Sequence, residues 1–115
     1  MYVYTGQFDI DIIPKLEYEI DIDKLLLLKY VEGSSFPIHT HTKITDNHLG
    51  DLIIYSPNQD FSGGDLIIHH HDHKEIVTTS NLKEWKCVFL PLSIPHEVTP
   101  ITSGVRYSFK YELYS

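Results

Sequence analysis

From Leu16 to Asp23 apolar and acidic residues alternate without a break: Leu16, Tyr18, Ile20 and Ile22 against Glu17, Glu19, Asp21 and Asp23. A strand sends successive side chains to opposite faces, so this stretch predicts a strand with one buried face and one acidic, solvated face. A helix would scatter the same residues around its circumference. The acidic face also resists edge-to-edge pairing with another molecule, and its carboxylates read as a charged surface rather than as paired acid-base groups. A chain that starts this way has to find further strands to cover the apolar face.

The remaining sequence offers them. Gln7 to Ile13 alternates around Phe8, Ile10 and Ile12 and is stopped by Pro14. Leu25 to Tyr30 reads as a more fully buried strand before a turn at Glu32-Gly33-Ser34-Ser35; the competing helix over Ile20 to Tyr30 conflicts with the alternation before it and the glycine after it. Phe36 to His41 predicts a strand or its rim, Lys43 to Asn47 a polar loop, Leu49 to Tyr55 a strand and Ser56 to Gly64 a long turn. Asp65 to Ile68 and Glu75 to Thr79 flank a hairpin turn at His69 to Lys74, and Ser80 to Lys83 turns back. Trp85 to Leu90, Glu97 to Thr99 and Val105 to Leu113 complete the set, with Pro100 and Gly104 marking a turn before the last strand. About nine or ten short strands separated by turn signals predict an all-β sandwich or barrel with few or no helices, and strand ends around its mouth can converge on a ligand. The 115 residues suit one domain, with 1–23 as N-terminal supporting strands and 24–115 as the core.

Charge and cysteine content narrow the functional classes. Sixteen acidic against nine basic residues give a net charge of -7, with no Lys/Arg cluster to displace counterions, which disfavours nucleic acid as a partner. The longest purely apolar run, Leu25 to Leu28, is far short of a membrane span, and the N-terminus lacks a signal-peptide pattern. Cys87 stands alone, so no internal disulfide points to an oxidising compartment, and its setting in Trp85 to Leu90 reads as a small strand residue. A cytoplasmic or otherwise intracellular protein without a membrane partner is the expectation.

Two groups of histidines carry the candidate chemistry. His39 and His41, one residue apart, share a strand face, and His96 follows the proline-bounded run Pro91-Leu92-Ser93-Ile94-Pro95; three imidazoles from two strands can reach one first-row metal ion. The tract His69-His70-His71-Asp72-His73 has the ligand density of a zinc or nickel site and also the character of an exposed hairpin tip. His48 reads as an exposed loop residue.

From about Leu25 to Tyr114 the chain resembles the iron(II)- and 2-oxoglutarate-dependent dioxygenases of the prolyl 4-hydroxylase-like group, whose core is a double-stranded β-helix, a jelly-roll barrel of cupin type. The similarity is carried by Leu27 to His39, by the doublet Gly63-Gly64 before Asp65-Leu66, and above all by His96 to Ser108. The resemblance implies that His39 and His96 bind Fe(II) and that Arg106 clamps the distal carboxylate of 2-oxoglutarate. An arginine offers a dicarboxylate a rigid fork, and Ser108, two residues on, faces the same way with a hydroxyl. Tyr30 matches a position whose phenol can reach the same carboxylate, and Tyr55 is a second candidate, although strand tyrosines also serve as core or rim. Relatives suggest a protein or peptide side chain as substrate, and a short barrel with few covering helices suits a homodimer.

The departure is His41, where the family expects an aspartate completing two histidines and one carboxylate. A three-histidine site, a carboxylate borrowed from Asp46 or Asp51, and a noncatalytic module on the same barrel all remain open. The chain also resembles the cupins, through Gly33, His39-Thr40-His41 and Asp46 and through Pro91 to His96; that similarity implies His39, His41, Asp46 and His96 as ligands.

Overall fold

The computed structural model describes residues 2–6, 19–20, 26–40 and 48–114. Its strands, in chain order, are β1 (Tyr2–Gly6), β2 (Glu19–Ile20), β3 (Leu26–Tyr30), β4 (Phe36–His39), β5 (His48–Tyr55), β6 (Phe61–Gly63), β7 (Leu66–His69), β8 (Lys74–Val77), β9 (Trp85–Pro91), β10 (His96–Val98), β11 (Ile101–Gly104) and β12 (Arg106–Tyr114). Among the described residues there is no helix, so none is long and apolar enough to cross a membrane. The expected strands at Gln7 to Ile13 and most of Leu16 to Asp23, the loop at Lys43 to Asn47, and the candidate ligands His41 and Asp46 lie outside the described residues.

A large sheet runs β1-β9-β5-β12-β2, with β3 also pairing β12, and a smaller sheet runs β4-β10-β7-β8. Among the described residues every pairing is antiparallel. This is the jelly-roll arrangement of the double-stranded β-helix, with the inner face of the large sheet turned to the small one. At the N-terminal end of the chain, β1 pairs β9 and β2 pairs the end of β12, so both belong to the large sheet.

The apolar runs of β5 and β9 are explained by burial on both faces. Ile53, Tyr55, Val88 and Leu90 point inward and pack with Leu66, Ile68 and Val77 of the small sheet. Leu52, Ile54, Cys87 and Phe89 form a second cluster with Tyr111 and Leu113. Burial there pushes the Cys87 thiol up to about 11, so Cys87 is a small core residue with no thiolate character.

Local patterning misplaces several segments. The stretch Leu25 to Tyr30 reads as a more fully buried strand, yet Leu26 and Leu27 are 47 % and 60 % exposed, because β3 has a single partner among the described residues and sits at the sheet margin. The long turn expected at Ser56 to Gly64 contains β6, and the turn expected between Pro100 and Gly104 contains β11; these two glycine-bearing tracts pair with each other. His48 is 2 % exposed, not a surface loop residue. The β5–β12 register shifts between Leu113 and Tyr114, and that irregularity brings His48 within reach of Asp51, Nε2 to Oδ1 3.1 Å, three residues away on a strand.

Candidate functional site

The two sheets line an open-mouthed cavity of about 320 Å³. His39 and His96 stand on its small-sheet wall. They are cross-strand partners on β4 and β10, and a register irregularity there puts Phe36 and His39 on the same lining, their rings 4.2 Å apart. The His39 and His96 ring centroids are 4.3 Å apart at 57°.

Each of these histidines has one ring nitrogen committed. His39 Nδ1–H donates to the Pro37 carbonyl at 2.7 Å, and His96 Nδ1–H donates to the Ile94 carbonyl at 3.0 Å. A carbonyl only accepts, so in the neutral form of each ring the proton is on Nδ1 and the lone pair on Nε2. That tautomer, fixed by a backbone acceptor two residues upstream, is the outer-shell arrangement of metal-ligating histidine. The donor chemistry of the pair therefore fits a first-row metal. Among the described residues no third His, Cys, Asp or Glu completes a metal-holding group.

The alternation on β12 places Arg106, Ser108, Lys110 and Glu112 on its inner face, and their neighbours in register are Tyr30 for Arg106 and both Leu28 and Tyr55 for Ser108. Arg106 is 2 % exposed and sits one ring back from the cavity: Tyr30 lines the cavity, and the Arg106 guanidinium carbon is 4.4 Å from the Tyr30 ring centroid. Tyr55 and Phe61 add their faces at 5.3 and 6.0 Å. Arg106 Nη1 donates to the Gly64 carbonyl at 2.6 Å and to Thr79 Oγ1 at 3.0 Å.

The charge of Arg106 is not met. No carboxylate among the described residues lies within ion-pair distance of it, and its Nε is buried without a hydrogen-bond partner. Ser108 Oγ, also buried, likewise lacks one. The adjacent phenols do not supply an anion: burial pushes Tyr55 up to about 12, and it raises Tyr30 against the opposing pull of Arg106. A buried cation facing neutral rings and leaving a donor unused is costly by itself, and it is the environment into which a carboxylate fits.

The glycine doublet acquires a reason here. Gly63 and Gly64 have φ of 79° and 72°, values that disfavour any side chain. A Cβ at Gly63 would run into the Pro100 carbonyl oxygen, and one at Gly64 would lie 2.9 Å from Arg106 Nη1 and 2.5 Å from Ile101 Cδ1. Gly64 thus lends Arg106 both an acceptor and the space to reach it. Gly64→Ala is expected to cost about 1–3 kcal/mol of stability, read from a urea unfolding midpoint, through backbone strain and displacement of the guanidinium.

Asp51 lines the same cavity, but its oxygens face other partners: His48 at 3.1 Å and Lys110 Nζ at 3.5 Å. The borrowed-carboxylate role expected for Asp51 is therefore not supported, since it does not form a metal-holding group with His39 and His96. Neither Thr79 nor the His48–Asp51 pair is signalled by sequence; both depend on long-range packing and register. The tract at the β7–β8 turn is engaged at its surface, with His70 Nε2 3.1 Å from Glu75 Oε1 and His73 Nδ1 2.6 Å from Asp72 Oδ1.

No protein-family model matches the sequence, and no curated protein matches it. Solved structures do share the fold. A prolyl-4-hydroxylase from Pseudomonas putida superposes with a TM-score of 0.61 at 21 % identity, covering 78 % of this chain and 51 % of that one. A prolyl 4-hydroxylase from Phytophthora capsici gives 0.67 at 16 %, covering 93 % and 40 %. A prolyl hydroxylase from Trichoplax adhaerens, solved with a peptide fragment of the hypoxia inducible factor oxygen degradation domain, gives 0.64 at 17 %, covering 97 % and 61 %. The chain therefore has the fold seen in this oxygenase group while spanning between 40 % and 61 % of the length of these three proteins.

Proposed function

We propose that this chain is the barrel core of an iron(II)- and 2-oxoglutarate-dependent oxygenase acting on a protein or peptide side chain. The observation that carries the proposal is the buried, unneutralised Arg106 with its idle Nε, on the same strand face as the idle Ser108 hydroxyl and packed against Tyr30, which lines the same cavity as His39 and His96. That combination suits a ligand with a carboxylate at one end and a metal-chelating group at the other.

In this reading His39 and His96 hold Fe(II) through Nε2, with His41 as the third donor where the group usually has aspartate. Arg106 and Ser108 hold the distal carboxylate of 2-oxoglutarate. When bound, the two cofactors supply the oxidative chemistry, in which dioxygen is consumed, 2-oxoglutarate is decarboxylated and a substrate C–H bond is hydroxylated. The chain's own residues bind, orient and exclude water. Tyr30, its phenol kept protonated by burial, lines the cavity against Arg106 and would donate a hydrogen bond to the carboxylate. Leu28, Ile53, Leu66 and Val98 give that cavity apolar walls, which strengthen every electrostatic contact inside it. The peptide substrate is suggested by the Trichoplax structure, whose partner is a peptide fragment.

Anaerobic titration of the apo-protein with Fe(II) and then 2-oxoglutarate tests the proposal. A metal-to-ligand charge-transfer band that saturates at one equivalent of cosubstrate is expected. A protein that binds neither, or that binds metal yet develops no band, is a noncatalytic module on the same barrel.

A further inference from the structure

Thr79 lies just beyond β8, fully buried at 1 % exposure, where a residue with a free hydroxyl would be out of place. Its Oγ1 donates to the Gly64 carbonyl at 2.8 Å and accepts from Arg106 Nη1 at 3.0 Å, while Nη1 also reaches that carbonyl at 2.6 Å. A hydroxyl has one proton. With that proton on Gly64, only the oxygen lone pairs of Thr79 face the guanidinium, so Thr79 is held as an acceptor for the cation. The Gly64 carbonyl is a single acceptor, and the Tyr30, Tyr55 and Phe61 rings pack against the guanidinium without accepting a hydrogen bond from it. Thr79 Oγ1, 2.8 Å from the Gly64 oxygen, sits beside it on one side of Nη1, so the pair narrows the directions open to the Nη1–H bonds and with them to the idle Nε–H donor.

We infer that Thr79 is a positioning residue that sets the orientation of Arg106 for an incoming carboxylate. The inference deepens the reading of this site as a dicarboxylate pocket and rests on it. It separates two functions that a single arginine would otherwise combine: attraction of the anion, which any buried cation supplies, and alignment, which requires the Thr79–Gly64 pair.

The test uses the full chain with Fe(II) under nitrogen and compares the wild type, Thr79→Val, which keeps the shape, and Thr79→Ser, which keeps the hydroxyl. Calorimetry measures the affinity for 2-oxoglutarate and for 2-oxobutyrate, which has the same keto-acid head and no distal carboxylate. Loss of a hydrogen bond to a charged group predicts about tenfold weaker 2-oxoglutarate binding in Thr79→Val, recovery in Thr79→Ser, and unchanged 2-oxobutyrate binding. Equal weakening of both ligands, or no weakening, overturns the role of Thr79 while leaving the dicarboxylate pocket standing. If the wild type binds neither ligand, it is the pocket reading that fails. Exchange of the Arg106 Nε–H proton, followed by NMR in the ligand-free protein, then decides the positioning role: faster exchange in Thr79→Val but not in Thr79→Ser supports it, and equal rates in all three proteins overturn it.

Discussion

Arg106→Met is expected to abolish 2-oxoglutarate binding, weakening it by about 100-fold or more, and at the same time to leave the ligand-free barrel as stable as before or more stable. The first effect follows from removing one partner of a buried charge pair, which typically costs about 2–5 kcal/mol. The second follows from the state of Arg106 without ligand. Its guanidinium is buried with no counter-ion among the described residues and with Nε unpartnered. Replacing such a cation by an apolar chain of similar length is often neutral or stabilising, by about 1–4 kcal/mol in favourable cases. Nor does the substitution strand an acceptor, because Thr79 Oγ1 still donates to the Gly64 carbonyl. Arg106→Ala would confuse the comparison by opening a void among Tyr30, Tyr55 and Phe61. Thermal unfolding paired with calorimetry reads both effects. A Met variant that unfolds many degrees earlier yet still binds the dicarboxylate would make Arg106 a structural cation stacked on aromatic rings.

That pairing of opposite effects matters because it distinguishes a group kept for function from one kept for the fold. The core of the barrel shows the other pattern. Leu52, Ile54, Val88 and Leu90 are buried on both faces of the large sheet and have no polar alternative to satisfy. Arg106 and Ser108 occupy equally buried inner positions of β12 with hydrogen-bonding capacity left over. In the proposed reading, a ligand carboxylate is what completes these two positions.

How much of this was legible in the sequence depended on whether the cause was local. The alternation of β12 put Arg106 and Ser108 on one face by arithmetic, and the proline-bounded approach to His96 marked a rigid placement. β6 and β11 were invisible, since each looks like a turn and becomes a strand only by pairing with the other some forty residues away. His48 was misread for a related reason: the register shift opposite Leu113 and Tyr114 turns it inward, and no pattern in His48-Leu49-Gly50-Asp51 announces an irregularity whose other half is on β12. Exposure of Leu26 and Leu27 reflects the position of β3 at the sheet margin, which an apolar run cannot encode. Thr79 reads as the last residue of the strand from Glu75 to Thr79; its value lies in two partners, Gly64 and Arg106, from distant segments.

His96→Ala is expected to remove the tight Fe(II) site, and a double substitution of His70 and His73 by alanine to leave it intact. The two histidine groups differ in what their rings can do. His70 and His73 stack at 4.5 Å with planes only 23° apart, and the nitrogens that face out of the stack already meet Glu75 and Asp72. Imidazole lone pairs lie in the ring plane, so nearly parallel stacked rings point their donors side by side. The His39 and His96 rings are tilted by 57°, and both have Nδ1 against a backbone carbonyl, so in the proposed site Nε2 is the atom that would ligate. His96 is also 2 % exposed, so the ordering of its ring is already met by packing, while His73 is 61 % exposed and would have to be ordered by the metal. Losing an outer hydrogen-bond partner of a ligating histidine costs about 10–100-fold in metal affinity, and losing the ligand itself should exceed that. Equilibrium dialysis of the anaerobic protein against Fe(II) separates the cases. Metal that follows the hairpin histidines and ignores His96 would place the iron at the tip of the β7–β8 turn and leave the barrel cavity without it.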